Sequence, residues 1–324
     1  MHKHILLASL AAFLASSTIA TDPHPSPSPN SDTKPFACGT DTTHASDHFL
    51  STISALHKGK DTGSPAARAA ALSARDGDSA SIDVVFHIVA TTASKSAITN
   101  DMPSDQVSAM NKAYNPNGIS FNLINVTWTV NDDWASAGAG DVDVEMKKSL
   151  RQGTYGTLNI YFQTDIAGGV LGRCTLPSNL TSNGKDSVDP SVYFNDGCNV
   201  LAHTMPKGSW EGYNTGMTAV HETGHWLGLL HTFEGESCEG PGDYIEDTVP
   251  EKEITQGCPT SPPKKTCEGK GAAEAADQAG SGGNGGLDPI HNYMDYSTDD
   301  CYTGFTPLQR ERMLSMWGMY RKGM

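Results

Sequence analysis

Basic charge is scarce in this chain: 22 Lys and Arg stand against 37 Asp and Glu, a formal net charge of −15 over 324 residues. A nucleic-acid partner is therefore not expected, because such a partner is met by a positive field that this composition does not supply. Long apolar runs are missing too. Ile5 to Leu14 is apolar, but a membrane-spanning helix needs about 20 such residues, and no later stretch approaches that. With His2-Lys3-His4 before it and Thr18-Ile19-Ala20 after it, the run reads instead as a secretory signal over residues 1–20, cut after Ala20. The chain is expected outside the cell, without a membrane anchor.

What is present is His221-Glu222-Thr223-Gly224-His225-Trp226-Leu227-Gly228-Leu229-Leu230-His231. On a helix, positions four apart share a face, so His221 and His225 aim two imidazole nitrogens at one point. Gly228 can take the left-handed conformation that ends a helix and swings the chain back, delivering His231 as a third ligand. Three protein ligands leave one coordination position open, which is the pattern of a catalytic zinc site. Glu222 follows the first ligand, where it can accept a proton from water without binding the metal. A bare HExxH is weak, since paired histidines on an amphipathic helix are common. The full HExxHxxGxxH pattern arises by chance in a chain of this length with a probability of roughly one in ten thousand.

An exported chain tends to pair its cysteines, and this one has seven. Val170 to Cys174 and Cys198 to His203 read as short strands; as sheet neighbours they bring Cys174 within bridging distance of Cys198. Cys238, Cys258, Cys267 and Cys301 follow, and Cys38 is left over. Cys38 lies in Phe36-Ala37-Cys38-Gly39-Thr40, inside a stretch (21–80) where Pro23, Pro25, Pro27 and Pro29 alternate with polar residues and Ala66 to Ala74 is alanine-rich. We read 21–80 as a pro-segment or linker, with Arg68 and Arg75 as candidate cleavage points. Cys38 is then a free thiol, a disulfide partner, or a latency thiol whose sulfur fills the open position on the metal.

Residues 81–324 read as one catalytic domain. Ile82 to Ala90 is a buried strand in which His87 is a core histidine rather than a ligand. Ser104 caps a helix to Tyr114, Asn115-Pro116-Asn117-Gly118 turns the chain, and Ile119 to Val130 is a second strand. Asp141 to Arg151 is a helix and Thr157 to Thr164 a third strand, and this alternation implies a twisted sheet with helices packed on it. Val170 to Arg173 is the edge expected to hold substrate backbone by strand addition. Asn214 or Thr215 caps the active helix carried by Met217 to Leu230. Asn125 and Asn179 head N-glycosylation tripeptides. Asp243 and Asp247, in Asp243 to Thr248, are spaced for a loop calcium site or a solvated turn. Gly271 to Gly286 is a loose insertion, and Thr306-Pro307-Leu308-Gln309 opens a C-terminal helix to about Arg321.

Asn292-Tyr293-Met294-Asp295-Tyr296 completes the pattern: Met294 in a tight turn supplies an apolar floor beneath the histidines, and Tyr296 is a candidate donor to a developing oxyanion. With these motifs and the Cys38-Gly39-Thr40 element, the chain resembles the pappalysin family of metzincin zinc endopeptidases, its secreted fungal metalloproteases above all. The resemblance implies an α/β (α+β) metzincin-like fold: a twisted mixed sheet, an active-site helix, an irregular lower subdomain and a C-terminal helix. It also implies zinc on His221, His225 and His231, Glu222 as general base, calcium near Asp243 to Thr248, and crossed disulfides Cys238–Cys267 and Cys258–Cys301. The expected partners are protein and peptide substrates of a monomeric enzyme. Two other classes fit the ligand set: a zinc-binding module without catalysis, and a different metal-dependent hydrolase such as an amidase.

Overall fold

Helix α1 (Asp47–Thr62) is the first regular element of the computed structural model, which describes residues 35–62, 79–180, 190–268 and 286–324. The signal stretch 1–20, Arg68, Arg75, and all of the 271–286 insertion except Gly286 lie outside the described residues. Reading 21–80 as linker gave no hint of α1. The helix forms because Phe49 and Ile53, one turn apart, are fully buried against Leu230, Met316 and Tyr320 from the far end of the chain.

The sheet follows from the expected alternation. Strand β1 (Ala80–Ala90) is buried along most of its length, as a β-branched run between two neighbours should be. Helix α2 (Met102–Tyr114) leads to β2 (Ile119–Val130), which runs parallel to β1. The turn between them works because Gly118 takes φ 72°. A short α3 (Asp132–Ser136) and α4 (Asp141–Leu150) lead to β3 (Leu158–Gln163) on the other side of β1. Next come β4 (Gly172–Cys174), α5 (Pro190–Asn195) and β5 (Cys198–Leu201). The order is β2-β1-β3-β5-β4, parallel except for β4, an antiparallel edge. Cys174 and Cys198 face each other in the β4–β5 ladder and form a disulfide there, so the edge is fastened to its neighbour.

His87 is the core histidine expected. Its Nε2 donates to Asn159 Oδ1 (2.9 Å), its Nδ1 accepts from Thr127 Oγ1 (2.8 Å), and its ring stacks on Tyr161. Burial holds its pKa down to about 4, so it stays neutral inside the sheet.

Two helix starts differ from expectation. Helix α2 begins at Met102 with Asp101 at its N-cap; Ser104 lies inside the first turn, because Pro103 supplies the preset φ of a helix start two residues earlier. The active helix α6 (Met217–Trp226) is preceded by Gly216 at φ 92°, not capped by Asn214 or Thr215. Thr215 gives its N–H and hydroxyl to Asp299, both at 2.8 Å, and Asn214 donates to Gly208 O. Regular helix stops at Trp226 rather than Leu230, since Gly228 takes φ 87°. The C-terminal helix α7 (Pro307–Met316) opens with the expected capping box and continues through a π turn, Trp317–Arg321.

Candidate metal centre

Helix α6 is buried on all sides from Thr218 to Trp226, so its histidines are fixed by packing before any ligand arrives. Tyr114 Oη donates to Val220 O (2.8 Å) and Gln106 Nε2 to Gly216 O (3.0 Å), pinning the helix to α2. The Gly228 turn then returns His231 to the same point. The Nε2 atoms of His221 and His225 lie 3.1 Å apart, as do those of His225 and His231.

The second ring nitrogens settle the tautomers. His221 Nδ1 lies 2.7 Å from Tyr293 O and His225 Nδ1 2.8 Å from Leu229 O. A carbonyl only accepts, so both Nδ1 atoms carry the proton and both Nε2 lone pairs face inward. Burial holds all three imidazoles below their ordinary pKa, His225 at about 4. Neutral lone pairs converging in a buried space repel one another unless a cation lies among them, and nitrogen donors anchored from behind by carbonyls suit zinc. Met294, fully buried, lies beneath: a Cβ on Gly224 would collide with its sulfur, so the HETGH glycine is what admits the methionine.

Glu222 is fully buried, and burial pushes its carboxyl up to about 8 against the opposing pull of Cys38, Thr40 and Arg173. Its Oε2 lies 3.3 Å from Thr40 Oγ1, while Oε1 has no hydrogen-bond partner among the described residues. Above it passes β4. A Cβ on Gly172 would come within 2.5 Å of Oε1, so this strand glycine is the roof that Glu222 needs. Glycine inside a short strand is the signal that marks such a close approach. We expect Gly172→Ala to push the carboxylate aside and lower kcat/KM by about tenfold to a hundredfold with metal content unchanged, since displacing a reacting group by about 1 Å is that damaging. Peptide turnover beside a metal assay checks this; unchanged turnover would show that Glu222 has room to spare.

The segment around Cys38 lies across this cleft. Leu171 N–H donates to Ala37 O (2.7 Å) and Gly39 N–H to Gly172 O (2.8 Å), a bridge parallel to β4 on the edge where substrate backbone was expected. Cys38 Sγ sits 3.6 Å from His225 Nε2 and completes a four-residue group with the three histidines. Tyr296 Oη accepts from Cys38 N–H (3.1 Å) and lies 3.3 Å from Cys38 O. Thr40 Oγ1 accepts from Cys174 N–H (2.8 Å), and Phe36 is buried against His221 and Tyr296.

Other expected residues lie elsewhere. Asp243 accepts from Ile245 N–H (3.0 Å) and the Thr248 hydroxyl. Asp247 accepts from Thr306 Oγ1 (2.6 Å) and Leu308 N–H (2.9 Å), at the start of α7. The two carboxylates of the calcium reading are thus turned to protein donors. Cys238–Cys267 and Cys258–Cys301 are both formed. Asn125 is exposed on β2 with Nδ2 donating to Gln152 Oε1 (2.9 Å); Asn179 is exposed, and its Thr181 is outside the described residues.

Sequence reasoning passed over one buried network. Arg321, fully buried, donates through Nε to Trp226 O (3.1 Å) and pairs with Asp196 at 3.0 Å, its guanidinium 3.6 Å over the Trp226 ring. Asp196 also accepts from Trp226 Nε1 (3.0 Å) and Arg151. Burial would raise the Asp196 carboxyl, but the two guanidiniums win and hold it low.

The family profile described as pregnancy-associated plasma protein-A, of the M43 peptidases, matches residues 143–317. The chain is 43% identical over 244 residues to extracellular metalloprotease 1 of Coccidioides posadasii, covering 75% of this chain and 78% of that protein. It is 41% identical over 290 residues to an extracellular metalloprotease of Neurospora crassa, covering 89% and 90%. Among solved structures, mature mirolysin of Tannerella forsythia in complex with a cleaved peptide superposes with TM-score 0.56 at 24% identity, over 74% of this chain and 92% of that one. A promirolysin variant superposes with TM-score 0.60 at 21% identity, over 88% and 94%. These two likenesses concern the fold. Among the described residues no helix is long and apolar enough to cross a membrane.

Proposed function

The chain belongs to the pappalysin peptidase family and is a metalloendopeptidase, and from that premise we propose a secreted zinc enzyme that cuts internal peptide bonds and is held latent by its own residues 35–62. The observation that carries the proposal is the convergence of three buried imidazole nitrogens, two of them with their lone pairs turned inward, beside one buried carboxylate. Zinc bound by His221, His225 and His231 would supply Lewis-acid polarisation of the scissile carbonyl and of the attacking water. Glu222, buried and next in the chain to His221, accepts the proton of that water as a carboxylate and returns it to the leaving amine. Tyr296 already engages a peptide backbone through Cys38 N–H and O, which supports a role in gripping the substrate carbonyl as charge develops. The β4 edge, now engaged by Ala37 and Gly39, receives the substrate strand once that segment departs.

Latency is supported by where Cys38, Thr40 and Phe36 lie: at the histidines, at Glu222 and against Tyr296. The promirolysin fold covers 88% of this chain and the mature one 74%, which supports a pro-segment in this chain as well. Secretion is supported by the extracellular relatives and by the signal-like start. The test is Cys38→Ala in the uncleaved chain. Phe36, Thr40 and the edge hydrogen bonds remain, so the expected gain in casein hydrolysis is about tenfold, the equivalent of about 1.4 kcal/mol. Hydrolysis no faster than that of the uncleaved parent chain would remove Cys38 from the latency mechanism.

A further inference from the structure

We infer that Lys264 is a tethered cation: its ammonium group fills an oxygen cage of the kind that holds calcium, and from there it fixes the segment after His231 to the Met294 turn. Lys264 Nζ donates to Glu251 Oε1 and Glu253 O, and lies 3.1 Å from both Thr255 Oγ1 and Asp288 Oδ2. Two carboxylates, a backbone carbonyl and a hydroxyl make up the hard oxygen set that a loop offers Ca²⁺. An ammonium has three hydrogens and here faces four oxygens, so the cage is matched to a positive charge rather than to a count of donors. Glu251 and Asp288 are 1% and 3% exposed, and the fully buried Asp295 acts on Glu251 as a further negative charge. Burial alone would lower the pKa of the lysine; Glu251 and Asp288 outweigh it and raise the value, so the cation stays charged.

Several pieces of chain meet on this one group. Glu251 Oε2 accepts from Thr232 Oγ1 (2.9 Å), the residue after His231, and Thr232 N–H donates to Met294 O (3.3 Å). Thr255 gives its hydroxyl to Glu251 (2.9 Å) and its N–H to Asp295 Oδ1 (3.4 Å), next in the chain to Met294. Asp288 takes the N–H and the hydroxyl of Thr266 at 2.9 and 2.8 Å. Between Trp226 and Pro307 the described residues include no helix or strand, so no repeating hydrogen-bond ladder holds this half of the site. The ammonium does so instead. Without it, three buried carboxylates are left uncompensated, and Thr232 and Asp295 lose their common anchor. Lys264 contacts none of the three histidines and is a positioning residue; what it positions for rests on the zinc-enzyme reading, whereas the cage does not.

The test uses the full chain, with thermal unfolding and zinc titration as readouts. Lys264→Ala clears the cage: in calcium-free buffer its thermal midpoint should fall by about 5–10 °C. Its zinc affinity should weaken about tenfold to a hundredfold, as when a partner behind a ligand is lost. Calcium at about 5 mM, above the ~10⁻⁴–10⁻³ M range of extracellular calcium sites, should repair both in this variant and change neither in the parent. If Lys264→Ala does not fold without calcium, recovery of the folded chain on refolding in calcium supports the cage equally. Lys264→Met keeps the volume but leaves neither charge nor room for an ion, so it should be weakened as much and not be repaired. A Lys264→Ala loss that calcium leaves unrepaired would make Lys264 an ordinary ion-pair partner and overturn the inference. So would the absence of any loss, or equal repair of both variants, which would mean that calcium acts elsewhere. Zinc bound by neither parent nor variant, with the thermal recovery intact, would instead overturn the zinc reading and leave the cage standing.

Discussion

Glu222→Gln is expected to keep its metal and to lose peptidase activity by about 10²–10⁴-fold, the range a positioned general base contributes. The amide matches the carboxylate in shape, so the buried space around it is not reorganised. The histidines are held from behind by Tyr293 O and Leu229 O, neither of which involves Glu222, so zinc content should not change. What the amide cannot do is accept a proton. Turnover of a quenched peptide, measured beside metal content, separates the two effects; full turnover would sink the role given to Glu222, and loss of metal would move that role to the ligand shell.

The second large effect is on stability. Arg321→Ala should destabilise the fold by about 3–5 kcal/mol, the usual result of removing one partner of a buried ion pair. The loss leaves Asp196 buried with Arg151, Thr175 and Trp226 as its side-chain partners among the described residues, and it empties the face of the Trp226 ring. Trp226 follows His225 directly, so loosening this end of α6 also loosens a ligand. Urea unfolding measures the difference, and a change below about 1 kcal/mol would mean that Asp196 finds its charge balance elsewhere. Asp196→Asn combined with Arg321→Met should recover little of the loss, because Arg151 is then left buried without its carboxylate.

How far the sequence could be read depended on where each residue finds its partners. The three histidines that converge lie within one stretch of the chain, so spacing alone brought His221, His225 and His231 to one point, and Gly228 turned where a left-handed residue was needed. The strands were also readable, because burial between two neighbours demands an apolar, β-branched run. The cap of α6 was not. Thr215 is an ordinary capping residue, but Asp299, 84 positions away, claims its donors. Asp243 and Asp247 were spaced for a cation loop or a solvated turn, and the spacing gave no sign of their distant partners: Thr306 and Leu308 at the start of α7 donate to Asp247. Helix α1 depends on Leu230, Met316 and Tyr320, and the Asp196–Arg321 pair joins residues 125 apart. Gly172 lay in a stretch expected to be the substrate edge, and that stretch contributes the antiparallel edge strand of the sheet. Its role as a roof over Glu222 becomes visible only once β4 is seen to cross α6.

The central claim, a zinc-dependent endopeptidase, is tested most directly by casein hydrolysis after removal of the pro-segment, with the metal stripped by a chelator and then restored. Hydrolysis should stop on chelation and return with one equivalent of zinc per chain, while calcium alone restores nothing. Hydrolysis that continues after the metal is gone, or that returns with calcium and not with zinc, would contradict it.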